Sequence, residues 1–498
     1  MTKKKLLMLC AIVVPIFFNV TAHCANYFIS ASNGSDVNPG TIEKPWRTFA
    51  HAQMLVSGGD TIYLSTGKYE MYSETIPMNR SETVTYQALP GHVPTISGIN
   101  ISYPSTSKAN LFFKGFVIFS DSIANIINIG NAEGVAIVDC KINAPRWYLD
   151  STNVFTGINI FNASDVSVKN TYFREVGLGI RILASKNISI DHNYIRVKGG
   201  SGIQYLGNST NIIIENNHIH GEEYTPYPED PLAMKDVHQS IISIRGDNII
   251  IRDNIMHSMA NGIMTYTRSA VGGEDSYDNI VLENNVVFKI DSGFAVRFYS
   301  LGNDILVNNN LFFSGMRKGS CVDGSSEDAR YRYFTALAVH SLAPNNVGSG
   351  LSLYNNIFIG SVFIPKTVIE TNNIYWSLSD YDLFSWKETS TSNTSKVLVN
   401  SYLGCGGAPK LFEDTSFFKL PLNLSSSNFN EINFLLAEKS LAKNFGNTFV
   451  QAKKSLGSIG SDGFIMYNGI IRNNVIHSAG PYETYFNLKS PENFIRID

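Results

Sequence analysis

Cysteine and charge are both scarce in this sequence, and long apolar runs are confined to its start. Only five of the 498 residues are cysteine and none are spaced as CxxC, which excludes a disulfide-built scaffold and a thiolate zinc site. Charged residues make up 16% of the chain and the net charge is -3. No basic excess is available to follow a phosphate backbone, so we expect no nucleic-acid partner.

The first 22 residues have the pattern of a secretory signal peptide. Lysines 3–5 form a basic start, residues 6–20 form an apolar run, and Ala22 is the predicted cleavage position. A membrane span needs about 20 consecutive apolar residues, and no later run is that long. The sequence therefore predicts a secreted protein, extracellular or periplasmic, with no membrane span in the mature chain.

An internal repeat is the most informative feature of the sequence. The repeat is an apolar strand followed by a pair of polar residues, the second of which is Asn. Its five clearest copies end at Asn217, Asn254, Asn285, Asn310 and Asn356. Looser copies end at Phe116, Cys140, Thr171, Asn193, Asn373 and Asn474. Uninterrupted copies are 22 to 25 residues apart, which is the period of a β-solenoid. Asn tolerates left-handed backbone and its stacked amides can bond one another, so we expect Asn217, Asn254, Asn285 and Asn310 to stack at one bend.

The segment before the repeats carries a family resemblance. Residues 27–30, 33–41, 44–48, 59–64 and 67–69 resemble the N-terminal segment of the pectate-lyase-like β-helix superfamily. That resemblance implies an all-β fold, a right-handed parallel β-helix, of the kind found in secreted polysaccharide lyases and some glycoside hydrolases. A short amphipathic helix over residues 48–56 is predicted to cap its end. We expect residues 23–90 to form this cap and the first strands, 91–375 the β-helix coils, and 376–498 a loop-rich C-terminal part.

Long insertions and outward side chains point to one strand of each coil as the functional face. The insertions 220–239, 267–279, 314–334 and 341–350 all enter or leave that strand, and long loops in a tight repeat often carry function. Aligning the apolar runs predicts one outward column, listed here in chain order: Leu183, Leu206, Arg245, Tyr266, Arg297 and His340. Strands about 4.8 Å apart would bring neighbours in that column within reach of one sugar.

This column contains the residue types that β-elimination on a uronic acid requires. Arg245 or Arg297 is predicted to neutralise the substrate carboxylate, Tyr266 to act as the acid, and His340 or Lys235 as the base. We expect Asp236, His238, Arg268 and Tyr299 to contact the substrate. The interpretation is a monomeric protein that acts on an acidic polysaccharide as a lyase or a C5-epimerase.

Two other functions remain open from the sequence. A glycoside hydrolase would need two carboxylates about 5 to 9.5 Å apart, for which the candidates are Asp230, Asp236, Asp247, Glu274 and Asp275. A non-catalytic glycan-binding protein would need only aromatic platforms such as Tyr266, Tyr299 and Tyr331. The acidic insertion that begins at Glu222 offers oxygen ligands for Ca²⁺ without an EF-hand spacing, so a calcium ion is possible and no other cofactor is predicted.

Overall fold

A computed structural model describes the chain from Cys24 onward with several gaps. The described residues are 24–145, 154–198, 200–207, 209–221, 240–265, 277–290, 294–299, 302–313, 335–339, 350–364, 368–377, 396–399, 466–467 and 470–471. Within them the chain forms parallel β-strands, one antiparallel pair and one α-helix, α1 (Phe49–Leu55). The predicted boundaries at residues 90 and 375 remain a prediction.

The parallel strands of the described residues, numbered in chain order, form one sheet of 22 strands and one of 13 strands. The larger sheet has two faces, here called sheets I and II, and the smaller one is sheet III. Sheet I contains β4 (Tyr72–Glu74), the first halves of β7 (Ile99–Lys114) and β9 (Asn125–Val138), β11 (Thr156–Phe161), β14 (Leu178–Leu183), β17 (Ile203–Leu206), β20 (Ser240–Ile244), β23 (Asn261–Thr265), β26 (Phe294–Phe298), β29 (Thr335–Val339) and β32 (Ser361–Phe363). Strands β7 and β9 continue through the bend into sheet II.

Sheet II contains β1 (Asn26–Ile29), β2 (Thr61–Leu64), β5 (Val84–Ala88), the second halves of β7 and β9, β12 (Ser164–Lys169), β15 (Lys186–Asp191), β18 (Ser209–Glu215), β21 (Gly246–Arg252), β24 (Ile280–Glu283), β27 (Ile305–Asn308), β30 (Leu351–Tyr354) and β33 (Ile369–Thr371). Sheet III contains β3 (Gly67–Tyr69), β6 (Pro94–Ile96), β8 (Val117–Phe119), β10 (Lys141–Asn143), β13 (Tyr172–Val176), β16 (Tyr194–Val197), β19 (His218–Gly221), β22 (Ile255–Met259), β25 (Val286–Ile290), β28 (Leu311–Phe313), β31 (Ile357–Ile359), β34 (Ile374–Ser377) and β35 (Lys396–Val399). The antiparallel pair is β36 (Met466–Tyr467) with β37 (Ile470–Ile471).

The three sheets enclose a lumen filled with apolar side chains. Alternation along each strand sends every second side chain inward, and the parallel register stacks like positions on one another. One such stack in sheet III is Ile142, Phe173, Ile195, Ile219, Met256, Val287, Phe312 and Phe358, all fully buried. Each buried side chain of this size contributes about 1.5 to 3 kcal/mol. The predicted parallel β-helix is confirmed.

Helix α1 closes the first coil of the lumen, as the sequence predicted. Thr48 is its N-cap, with a hydroxyl that accepts from the His51 amide at 3.2 Å. Phe49 is buried, and its ring centre lies 5.6 Å from that of Tyr72 and 5.8 Å from that of Tyr86. The helix therefore covers an aromatic end of the core that would otherwise face water.

The bend between sheets II and III holds a continuous ladder of buried asparagines. Each side-chain Nδ2 donates to the Oδ1 of the next at 2.9 to 3.0 Å, in the order Asn193, Asn217, Asn254, Asn285, Asn310, Asn356 and Asn373. Each amide also bonds backbone: Asn254 donates to the Ile214 carbonyl at 2.9 Å and accepts from the Asn217 N–H at 3.0 Å. The predicted stacking is confirmed.

The two residues of the polar pair have different roles. The residue before each ladder asparagine takes the left-handed conformation, with φ of 56° at Asn216, 56° at Asp253 and 57° at Asn284. Asn and Asp enter this region more readily than other non-glycine residues. The first member therefore turns the chain, and the second closes the bend with hydrogen bonds.

Replacement of Asn254 by alanine should destabilise the protein strongly. The substitution leaves several buried backbone and amide groups unpaired, each worth about 1 to 3 kcal/mol. Half-buried Asn159, whose amide donates to Asn128 at 2.8 Å on sheet I, provides a matched control expected to lose about 1 kcal/mol. Chemical denaturation of both variants is the measurement, and equal losses would contradict a special role for the ladder.

Candidate functional site

Four long connections adjoin the ends of sheet I strands, and another, 378–395, joins β34 to β35 of sheet III. The chain segments 222–239 and 314–334 precede β20 and β29, and the segments 266–279 and 340–350 follow β23 and β29. By contrast, the bend between sheets II and III is two residues long in each of the seven coils from β15 to β34. The predicted attachment of the insertions to one strand of the coil is confirmed, which makes the outer surface of sheet I the candidate site.

An outward column runs along sheet I through the strands that these insertions join. Its members are level with one another in the parallel register and are, in order, Asn128, Asn159, Arg181, Gln204, Ser243, Met264, Arg297 and Ala338. Ser243 and Met264 are each 1% exposed although they point away from the lumen. The middle of the column is therefore shielded from bulk water.

The predicted column misplaced Arg297 by two residues, whereas Leu183 and Leu206 are paired as predicted. Arg297 is level with Met264, and Met264 with Ser243, whereas the sequence prediction placed Arg297 level with Arg245. Arg245 and Tyr299 each follow a column residue by two positions. A shift of one residue would turn the apolar set outward, but a shift of two keeps every side chain on its own face. The apolar pattern alone therefore could not distinguish these two registers.

Arg297 lies between two aromatic rings on this surface. Its guanidinium carbon is 4.2 Å from the ring centre of Phe294 and 3.8 Å from that of Tyr299. Burial lowers the pKa of Arg297 and raises the pKa of Tyr299. The Nε atom of Arg297 is buried and has no hydrogen-bond partner. A cation held by two rings keeps a fixed direction, so the position of this guanidinium is set by Phe294 and Tyr299.

Ser243 and Arg245 lie two coils before Arg297, at roughly 10 Å along the helix axis from the spacing of strands. The Ser243 hydroxyl is buried without a hydrogen-bond partner, and Arg245 is half-buried. A buried donor that lacks an acceptor costs about 1 to 3 kcal/mol, so such groups are rare and call for an explanation. Two cations and a polar hydroxyl thus share a stretch of surface the length of about two sugars.

The other predicted site residues lie outside the described residues. These are Lys235, Asp236, His238, Tyr266, Arg268 and His340, together with the carboxylates Asp230, Glu274 and Asp275 and the aromatic Tyr331. Asp247 is described, on β21 of sheet II, where it accepts from the Asp278 amide at 2.9 Å. Sequence alignment missed Ser243, Met264 and Phe294, which only the strand register identifies.

A second cluster of titratable groups lies on the outward side of sheet III. The Nε2 atoms of His218 and His257 are 2.8 Å apart, and His220 Nε2 is 2.7 Å from the Tyr194 hydroxyl. His220 and His257 each follow a ladder asparagine by three residues, so alignment on the ladder would have found them. Burial, with His220 nearby, lowers the pKa of His218 well below its usual value.

Metal and thiol chemistry have little support in the described residues. No group of three or more His, Cys, Asp or Glu side chains in this part of the chain is arranged to hold a metal ion. The acidic insertion considered for Ca²⁺ lies outside it, so that site remains a prediction. Cys140 is a buried free thiol whose pKa burial raises to about 12, and Cys24 is a free, exposed thiol.

Comparison with known proteins identifies the family. The profile of the family described as "Right handed beta helix region" matches residues 19–271 and 157–332, which together exceed half of the chain. The chain belongs to this family. The predicted right-handed fold is therefore confirmed. No helix in the described residues is both long enough and apolar enough to cross a membrane.

Individual relatives are more distant. The uncharacterized protein YwoF of Bacillus subtilis (strain 168) is 28% identical over 160 residues, which are 30% of this chain and 29% of that protein. Among solved structures, a rhamnogalacturonan lyase matches with a TM-score of 0.43 at 15% identity. The match covers 70% of this chain and 87% of the lyase chain. A lacto-N-biosidase from Eubacterium ramulus matches with a TM-score of 0.37 at 13% identity, and the match covers 76% of this chain and 68% of the biosidase chain.

The histidine cluster should make the protein less stable in acid. A folded-state pKa below the unfolded value means that the unfolded chain binds the proton more readily, so stability falls as the pH drops below about 6.5. His218→Gln should therefore lose less stability than the wild type between pH 7.5 and 5.

His192 provides the opposite control for that experiment. Its hydrogen bond with Asp191 raises its pKa, so it stabilises the protein below about 6.5 and that contribution is lost as the pH rises. His192→Gln should thus lose more stability than the wild type on acidification. Thermal melts at both pH values measure the difference, and parallel slopes for all three proteins would contradict the assignment.

Proposed function

We propose that this protein acts on an acidic, uronic-acid-containing polysaccharide outside the cytoplasm, as a lyase or a C5-epimerase. The observation that carries the proposal is the pair of half-buried arginines, Arg245 and Arg297, on the outward side of sheet I. A fixed guanidinium in a poorly hydrated site binds a carboxylate strongly and can form two parallel hydrogen bonds with it. The signal-like residues 1–22 support export.

Neutralisation of the carboxylate is the step that these arginines would perform. A uronate C5 proton is weakly acidic, and a cation bound to the adjacent carboxylate stabilises the negative charge that develops when a base removes it. In a lyase the C4–O bond then breaks, a C4–C5 double bond forms, and the leaving oxygen takes a proton. In an epimerase a proton returns to C5 from the opposite face instead.

The remaining roles are assigned to residues of the insertions. We propose Tyr266 as the proton donor to the leaving oxygen and His340 or Lys235 as the base. Asp236, His238 and Arg268 are proposed to contact the substrate from the same loops, and Tyr299 from sheet I, where it also supports Arg297. Each of these assignments places a titratable side chain beside the arginine surface, which is where proton transfer would occur.

The chemistry of sheet I favours a lyase or epimerase over a hydrolase. The sheet I strands from β11 to β29 contain no Asp or Glu, whereas a glycoside hydrolase needs two carboxylates that flank the scissile bond. Both carboxylates of a hydrolase would have to come from outside these sheet I strands. A cationic surface suits an anionic substrate directly.

Substrate and reaction type can be tested on a panel of pectin, alginate, glycosaminoglycans and neutral glycans. A lyase produces an unsaturated end that absorbs in the near ultraviolet, and an epimerase produces neither new ends nor absorbance but exchanges the C5 hydrogen with heavy water. New reducing ends without absorbance would instead indicate hydrolysis. Binding without any product would indicate a glycan-binding protein.

On the active glycan, Arg297→Ala, Arg245→Ala and Tyr266→Phe should each lower turnover about 10²-fold or more, because each removes a transition-state contact. The matched control is Arg181→Ala, in the same outward column but four strands before Arg297, roughly 19 Å away. It should retain turnover. Melting should change little in all four variants, since surface substitutions usually alter stability by about 0.5 kcal/mol. Full turnover in both Arg245 and Arg297 variants would remove the arginines from the mechanism.

A further inference from the structure

The outward side of sheet III changes character along the helix axis. In the earlier coils it carries polar and charged side chains, among them Lys141, Tyr172, Arg174 and Arg196, which are partly or fully exposed. From β25 onward it is apolar in two adjacent columns, whose β22 members are Ile255 and His257. One column contains Ile255, Val286, Leu311 and Ile357, and the other contains Phe288, Phe313 and Ile359.

These outward side chains are buried. Phe288 is 0% exposed, Phe313 1% and Ile359 0%. In β28 all three side chains are buried, although alternation sends Phe312 into the lumen and its two neighbours outward. A sheet cannot cover its own outer surface, because neighbouring strands lie beside an outward side chain and never above it. Another part of this chain must therefore lie on this surface.

Sheets I and II are excluded as the cover because they stand across the lumen from sheet III. The longest part of the chain beyond the described coils starts on sheet III itself: β35 ends at Val399, and the chain continues for 498 − 399 = 99 residues. The insertions 222–239 and 314–334 are rich in charged residues and are poorly suited to an apolar surface. The C-terminal segment has both the length and the starting point that the cover requires.

That segment contains a suitable apolar stripe. Phe434, Ala437, Leu441 and Phe445 recur at the spacing of one face of an α-helix. Lys439 and Lys443 fall on the opposite face of the same helical projection. An amphipathic helix of this kind would bury its apolar side on a flat apolar sheet and leave its lysines in water.

We propose that residues 400–498 cover the outward side of sheet III from β25 to β31, with the apolar stripe from Phe434 to Phe445 in contact with it. This surface is then an internal interface of the protein and is unavailable to substrate. Burial of large apolar side chains in such a contact stabilises the fold, which makes the C-terminal segment part of the folded core. The inference is independent of the proposed reaction.

Photo-crosslinking in the full-length protein can identify the occupant. The crosslinker p-benzoylphenylalanine is introduced at Phe313 and, separately, at Ile359, and the crosslinked peptides are sequenced by mass spectrometry. Adducts within residues 400–498 are expected at both positions. Adducts within 222–239, 314–334 or 378–395, or a crosslinked dimer, would overturn the proposal. The same crosslinker at Arg174, an exposed residue on the outward side of sheet III in an earlier coil, should give no adduct in the C-terminal segment.

A pair of substitutions tests the apolar stripe in the same protein. Leu441→Asp should reduce the crosslinking yield from position 313 several-fold and increase the binding of a hydrophobic dye, because it places a charge in the contact. Lys443→Asp, on the opposite face, should change neither. If Leu441→Asp leaves the yield unchanged, the stripe is not the contact. If that variant cannot be purified, the milder Leu441→Ala tests the same contact, with a smaller loss of crosslinking yield expected.

Discussion

The structure depends most on the asparagine ladder at the bend between sheets II and III. Each side-chain amide there joins three coils: Asn254, for example, donates to Asn285 in the next coil, accepts from Asn217 in the preceding one, and also bonds the backbone of that preceding coil. Buried polar groups at a sharp bend are costly unless all are paired. A residue with fewer hydrogen-bond donors and acceptors, or a bend of another length, would leave several buried polar groups unpaired in every coil.

This constraint determines where the fold can vary. The bend that holds the ladder is two residues long in each of its coils, whereas the connections at the ends of sheet I strands range from one residue to long insertions. Loops can lengthen there at a modest entropic cost. The outer surface of sheet I is consequently the place where insertions and outward side chains meet, and two cations separated by about fifty residues of sequence become neighbours there.

The sequence predicted the repeat, the capping helix and the stacked asparagines because each has a local signature. Asn217 and its equivalents end a recognisable phrase, and Thr48 precedes a short amphipathic run. The level of Arg297 relative to Arg245 could not be predicted, because a shift of two residues preserves the inward and outward faces. On sheet III, residues at the same number of positions after a ladder asparagine are paired between neighbouring strands, as His220 and His257 are. On sheet I the intervening insertions remove that reference.

The central claim is that the arginines on the outward side of sheet I bind the carboxylates of an acidic glycan. The most direct measurement is a crystal structure of the protein with a bound oligouronate. The account predicts a sugar carboxylate within hydrogen-bonding distance of the Arg297 or Arg245 guanidinium, with the oligosaccharide lying along the column that contains Ser243 and Met264. An oligosaccharide bound to the outer surface of sheet II or sheet III, with both arginines free of it, would contradict the account.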